Sequence, residues 1–217
     1  VEPFAGGAGY SCRYPDLNVV LAEKNPQIAN IWKWLISVPP ETISALPIHE
    51  PGELIPSEVT GPARDWIGMW NSISVVRPNQ RMSPSANKVY MTGGGKNPNT
   101  LRRCFWSAEI RDRSAEAVQR IRHWIVIEGD HTSVPTDLDA TWFIDPPYQH
   151  LDLYKQGALD YHSLALWCLT LRGQIIVCEN EGADWLPFQP FGNFHASPRA
   201  NKSSRRSKEM ICTWVNE

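Results

Sequence analysis

A chain of 217 residues can build one core of ordinary size with one inserted subdomain. Its formal net charge of −2 identifies no partner by itself, and no run is long and apolar enough to span a membrane. The amino end lacks the basic-then-apolar layout of a signal peptide, so the expected location is cytoplasmic.

Val1 to Phe4 reads as a strand end that runs at once into Ala5-Gly6-Gly7-Ala8-Gly9. Asn18 to Ala22 is a second apolar strand, closed by Glu23 and followed by Lys24-Asn25. Ile28, Ile31, Trp32 and Leu35 recur at the helical period, which predicts a helix over 27–36 stopped by Pro39-Pro40. From 41 to 109 the pattern weakens. Proline, glycine, serine and asparagine are frequent there, and 92–99 has a loop composition. Trp66, Trp70 and Trp106 argue for a folded insertion, with a helix near 63–70, rather than a linker.

Regular alternation then returns. A helix is expected over 114–123 with Ser114 as its N-cap, and another over 160–171. Strands are expected over 124–127, 141–145, 174–178 and 210–215. Strand and helix alternate, so the expected class is α/β with a doubly wound, mostly parallel sheet carried by 1–40 and 110–217.

The five cysteines (Cys12, Cys104, Cys168, Cys178, Cys212) form no C-x-x-C pair and read as reduced, with Cys168 and Cys178 in the core. Histidines such as His123, His131 and His150 have no ligand spacing, and no metal is expected.

Asp145-Pro146-Pro147-Tyr148 is the chain's most specific feature. An apolar strand ends there abruptly, because proline lacks an N–H and fixes φ. The turn carries a carboxylate, free carbonyls and an aromatic face at the carboxyl end of a strand, where open α/β sheets place ligands. Such a set suits an exocyclic amine on a flat ring: Asp145 and the Pro146 carbonyl accept its two N–H bonds, and Tyr148 stacks on the ring. A merely rigid loop is the plainer reading of two prolines alone.

The glycine-rich turn at Gly6, Gly7 and Gly9 suits a nucleotide-like ligand, although a tight strand–helix turn explains it as well. Glu23 stands where such folds meet ribose hydroxyls; alone, it is equally a solvated strand end. Asp130, after the third strand, could accept from an adenine amine or cap a turn. Arg199, Lys202, Arg205, Arg206 and Lys208 form a basic run, and Lys96, Arg102, Arg103, Arg111 and Arg113 a second one beside Phe105 and Trp106. Such runs are either a solvated face or a phosphate-binding one.

Taken together, these residues resemble the S-adenosylmethionine-dependent DNA amino-methyltransferases, most closely the Dam-like adenine-N6 branch. The likeness rests on Glu2-Pro3-Phe4-Ala5-Gly6-Gly7, Glu23-Lys24-Asn25, Asp145 to Tyr148, and Lys208-Glu209-Met210-Ile211 ending at Asn216. It covers nearly the whole chain except 40–110. It implies a Rossmann-like class I methyltransferase fold in which 41–109 is a target-recognition insertion. It further implies an S-adenosylmethionine site of Glu2, Pro3, Phe4, Gly6, Gly7, Gly9, Glu23, Asn25, Asp130 and Asp145. Asp145, Pro146, Pro147 and Tyr148 would be catalytic. Double-stranded DNA would meet Arg102, Arg103, Arg199, Lys202, Arg205, Arg206 and Lys208. The host would be a bacterial or phage-infected cell. Cytosine N4 is the alternative target, since the same turn suits both amines, and a non-catalytic DNA-binding remnant or subunit is the alternative of another class. The family's amino-terminal G-x-K segment, which helps hold the cofactor's methionine end, is not in the sequence given. A preceding segment or a second subunit is expected to complete the pocket.

Overall fold

The computed structural model describes residues 1–72, 77–84, 86, 105–150, 159–194 and 207–217. The chain divides into two compact units, one of Val1–Pro26 with Trp124–Glu217, the other of Gln27–His123. These divisions lie after residues 26 and 123, where the sequence pattern suggested breaks after 40 and 109.

The first unit holds the sheets. Strand β1 (Val20–Glu23) pairs in parallel with β2 (Ile125–Glu128). A mixed, four-stranded sheet has the order β3 (Asp139–Ile144), β4 (Arg172–Asn180), β6 (Ser207–Asn216), β5 (Gln189–Phe194). β3 and β4 are parallel, and β6 is antiparallel to both of its neighbours. The class is thus mixed α/β, as expected. Val1 and Glu2 do not form a full strand, yet they carry hydrogen bonds to both sheets. Glu2 N donates to Val20 O and its carbonyl accepts from Ala22 N, each at 2.9 Å. On the other side, Val1 N donates to Thr141 O (2.8 Å) and Phe143 N donates to Val1 O (2.9 Å).

Apolar alternation on β3 and β4 aims Trp142, Ile144, Ile175 and Val177 into one core with Leu164, Cys168 and Cys212. Cys178 is only half-buried. A helix over Tyr161–Thr170 covers this core, with Asp160 Oδ1 capping the amides of His162 and Ser163. β5 was not foreseen. Its proline and glycine break the strand pattern, and the ladder shifts register between Pro190 and Gly192.

The second unit is helical among its described residues. Helix α1 (Pro26–Ser37) buries Ile28, Ile31, Trp32 and Leu35, the expected stripe. The prolines at 39 and 40 stop it and also begin α2 (Pro40–Ser44), because proline suits the first turn of a helix. α3 (Gly61–Met69) matches the helix expected near 63–70. The helix assigned to 114–123 instead runs over Ala108–Ala117 as α4, followed by a 3-10 turn at Val118–Arg120. Its N-cap is Ser107, which accepts from Ile110 N, with Glu109 in the first turn. Ser114 lies mid-helix, where its buried hydroxyl donates to Ile110 O at 2.7 Å. The helix over Tyr161–Thr170 is α5.

Phe105 and Trp106 are fully buried in this unit, and the Trp106 indole donates to Pro47 O at 2.8 Å. They are core residues, without a face to offer a nucleobase.

Candidate active site at the Asp145 turn

The turn after β3 is fixed from several directions. Pro146 is buried, and Pro147 O accepts the Tyr161 hydroxyl of α5 at 2.7 Å. Gln149 N donates to Glu179 Oε1 on β4 at 3.0 Å, and the Gln149 side chain exchanges two bonds with Asp184. His150 Nε2 meets Gly182 O at 3.0 Å. Glu179 is fully buried and also accepts from the Trp185 indole and from Asn180 N. Among the described residues, none donates to the Pro146 carbonyl. Every peptide bond in this turn is trans.

Asp145 itself opens to solvent, although protein surrounds its carboxyl on most sides. That surrounding bulk raises its pKa above the ordinary range, a Tyr148 hydrogen bond opposes the rise, and the nearby carboxylates of Glu209 and Glu179 add to it. The Tyr148 hydroxyl serves two carboxylates with one proton. It donates to Glu209 Oε2 at 3.2 Å and lies close enough to Asp145 for each to shift the other. Burial and these two acids push the phenol far up, so Tyr148 stays protonated at any working pH.

The glycine loop leaves the Val1–Glu2 segment on the parallel strands' carboxyl side. Ala5 N is bound to Ala22 O at 3.0 Å, and Gly6 N to Glu23 Oε2 at 2.8 Å. Gly6 and Ala8 both take positive φ (45° and 47°), so the loop turns tightly, without a full helix after it. A 3-10 turn at Ser11–Arg13 follows instead. Gly6, Gly7 and Gly9 are exposed, and a Cβ at any of them would meet open space.

Glu2 and Pro3 are buried. Glu2 Oε1 accepts Ser11 N at 2.6 Å, so this carboxylate holds the glycine loop from beneath, and burial raises its pKa. Phe4 is half-buried and stacks on His131, with centroids 5.3 Å apart. Glu23 accepts Asn25 N on its second oxygen at 2.7 Å. Each Glu23 oxygen retains an acceptor site, enough for a pair of sugar hydroxyls. Asp130 caps a 3-10 turn at His131–Ser133, taking both the amide and the hydroxyl of Thr132 on Oδ1. The Thr132 hydroxyl lowers its pKa, and Oδ2 points to no partner among the described residues.

Glu2, Pro3, Phe4, Gly6, Gly7, Gly9, Glu23, Asn25, Asp130, Asp145, Pro146, Pro147 and Tyr148 thus all lie at strand ends or turns of the first unit. Glu179, Tyr161 and Gln149, which fix the Asp145 turn, had no place in the sequence reading. Glu179 did carry a signal, since like Glu23 it is an acid at the end of an apolar strand. Arg102, Arg103, Arg199, Lys202, Arg205 and Arg206 lie outside the described residues. Lys208 is half exposed and paired with Glu181 at 2.5 Å. A shallow hollow lined by Pro190, Phe191, Gly192 and Lys208 lies on the β5–β6 pair rather than at the turn.

No known protein family matches the chain, and no curated protein is similar to it.

Proposed function

We propose that this chain is a DNA adenine-N6 methyltransferase that uses S-adenosylmethionine. The observation that carries the reading is a solvent-open carboxylate, Asp145, beside a Pro146 carbonyl that none of the described residues bonds, on a turn otherwise bonded at almost every residue. A rigid turn that presents a carboxylate, shared with the Tyr148 hydroxyl, and a carbonyl bonded by none of the described residues suits an amine.

The sheet order adds support. With Val1–Glu2 taken as a first strand, the order is β2, β1, Val1–Glu2, β3, β4, and chain order reverses between Val1–Glu2 and β3. Doubly wound sheets hold their ligands at such a reversal, outside the carboxyl ends of the strands. The glycine loop and the Asp145 turn both start there.

The residues suit the proposed cofactor. The bare faces of Gly6, Gly7 and Gly9 leave room for close approach, Glu23 keeps acceptor sites for ribose hydroxyls, and Asp130 keeps Oδ2 for the adenine amine. When bound, S-adenosylmethionine supplies an electrophilic methyl group. The chain's own part is to orient and polarise the acceptor. An adenine amine is a poor nucleophile because its lone pair is delocalised into the ring. Hydrogen bonds from both its N–H groups to Asp145 and to the Pro146 carbonyl favour a pyramidal nitrogen with a localised lone pair. Tyr148 stacks on the base, which must be flipped out of double-stranded DNA to reach the turn.

The test is incubation with unmethylated duplex DNA and methyl-labelled S-adenosylmethionine, followed by digestion to nucleosides. Label in N6-methyladenosine is the expected outcome. Label in N4-methylcytosine would move the target to cytosine, and no label would overturn the reading.

A further inference from the structure

β6 runs against its neighbours, so its first residues, rather than its last, reach the carboxyl end of β4. Glu209 opposes Asn180 there, two residues beyond Cys178, on the face shared by alternate residues of the pair. Ile144 is level with Val177 on the other side of β4, so the chain leaves β3 for Asp145 at the same end. Glu209 is half-buried, and its Oε2 accepts the hydroxyl of the equally half-buried Tyr148. The other nearby acid, Glu179, lies on the opposite face of β4 and is filled by three donors of its own.

We propose that Glu209 is the positioning residue of Tyr148: the phenol's hydroxyl lies within reach of both Glu209 and Asp145, and Glu209 draws its single proton toward β6, so that Asp145 can receive the amine. This rests on the methyl-transfer reading above. With Glu209 removed, the phenol has one acid left to turn to. Tyr148 would then give its hydroxyl wholly to Asp145, occupying an acceptor that the substrate needs and drawing its ring from the stacking position. The hydroxyl has a single proton, so the two partners compete for it. Accepting a hydrogen bond is the function assigned here, not negative charge, so an amide at 209 should serve.

The experiment measures kcat and KM for duplex DNA with Glu209→Ala, Glu209→Gln, Tyr148→Phe and the double variant Tyr148→Phe/Glu209→Ala. Glu209→Ala is expected to raise KM for DNA about tenfold, with a smaller fall in kcat, the loss typical of one hydrogen bond to a charged group. Glu209→Gln should recover most of that loss. The double variant should be no worse than Tyr148→Phe, because without the hydroxyl Glu209 has nothing to hold. Wild-type KM in Glu209→Ala, no recovery in Glu209→Gln, or fully additive effects in the double variant would each overturn the proposal while leaving methyl transfer standing. Should Glu209→Ala fail to fold, the Gln and Phe variants still decide. Absence of transfer by the unaltered chain would instead remove the reading beneath it, and the proposal with it.

Discussion

Glu23 at the end of β1 and Gly6 in the glycine loop are joined by a 2.8 Å bond from the Gly6 amide to the Glu23 carboxylate. The same carboxylate holds Asn25 N, so loop and strand end move as one piece. In Glu23→Ala both amides lose their acceptor. We predict a stability loss of about 1–2 kcal/mol and a roughly tenfold weaker affinity for S-adenosylmethionine. Thermal denaturation and calorimetric titration read the two effects separately. Unchanged affinity would show that Glu23 only staples the loop.

Gly7 separates ligand space from folding. A Cβ there meets no protein atom within 4 Å, and its φ is not in the positive region. Gly7→Ala should therefore keep the melting temperature or raise it slightly, by about 0.4–1 kcal/mol of stability. The added methyl group should nonetheless weaken S-adenosylmethionine binding about tenfold or more. Equal affinity in titration would mean that the cofactor does not approach this loop.

Asp145 is expected to trade stability for chemistry. Its pKa is raised above the ordinary 3.8 in the folded chain, so the native state holds this proton to higher pH than the unfolded state does. The contribution to stability is full below the ordinary value and is lost as pH rises through the raised one. Asp145→Asn should thus unfold at higher denaturant than the parent at neutral pH, with the advantage vanishing in acid. The same variant should lose at least about a thousandfold in methyl transfer. In the parent, kcat/KM should fall as pH drops through the raised pKa. A neutral-pH midpoint below the parent's would contradict the charge argument.

Glu179 carries the opposite expectation. It is fully buried and satisfies Gln149 N, Asn180 N and the Trp185 indole. Glu179→Ala leaves those donors without an acceptor, and we predict a loss of about 3 kcal/mol in urea denaturation. Glu179→Gln should cost less, because its carbonyl can still accept. A loss under about 1 kcal/mol for the alanine variant would show that water replaces the carboxylate there.

What could be read in the sequence was local. The stripe Ile28, Ile31, Trp32 and Leu35 marked α1, and the helix expected over 160–171 is α5, because a helical period repeats within a few residues. The Asp145 turn was legible for the same reason, since prolines act on the backbone beside them. Ser107 and Ser114 are both plausible caps, and only the burial of Ile110 and Ser114 separates them. β5 was hidden because its proline and glycine are tolerated at a sheet edge that no local pattern reveals. The supports of the site were hidden by distance. Gln149 meets Glu179 across 30 residues, and Tyr148 meets Glu209 across 61. Two acids among 23 cannot be assigned to such partners without the sheet that brings them together.

The two-sided pairing of Val1 and Glu2 sets an order of assembly. One neighbour, β1, follows within about twenty residues, but the other, β3, is 140 residues downstream at Thr141. During synthesis the first segment can pair on one edge only while the whole of Gln27–His123 is made. Closing so large a loop is entropically costly and slow. A ribosome-bound chain that stops short of β3 therefore carries its glycine loop on a half-built sheet, without the Asp145 turn that follows β3.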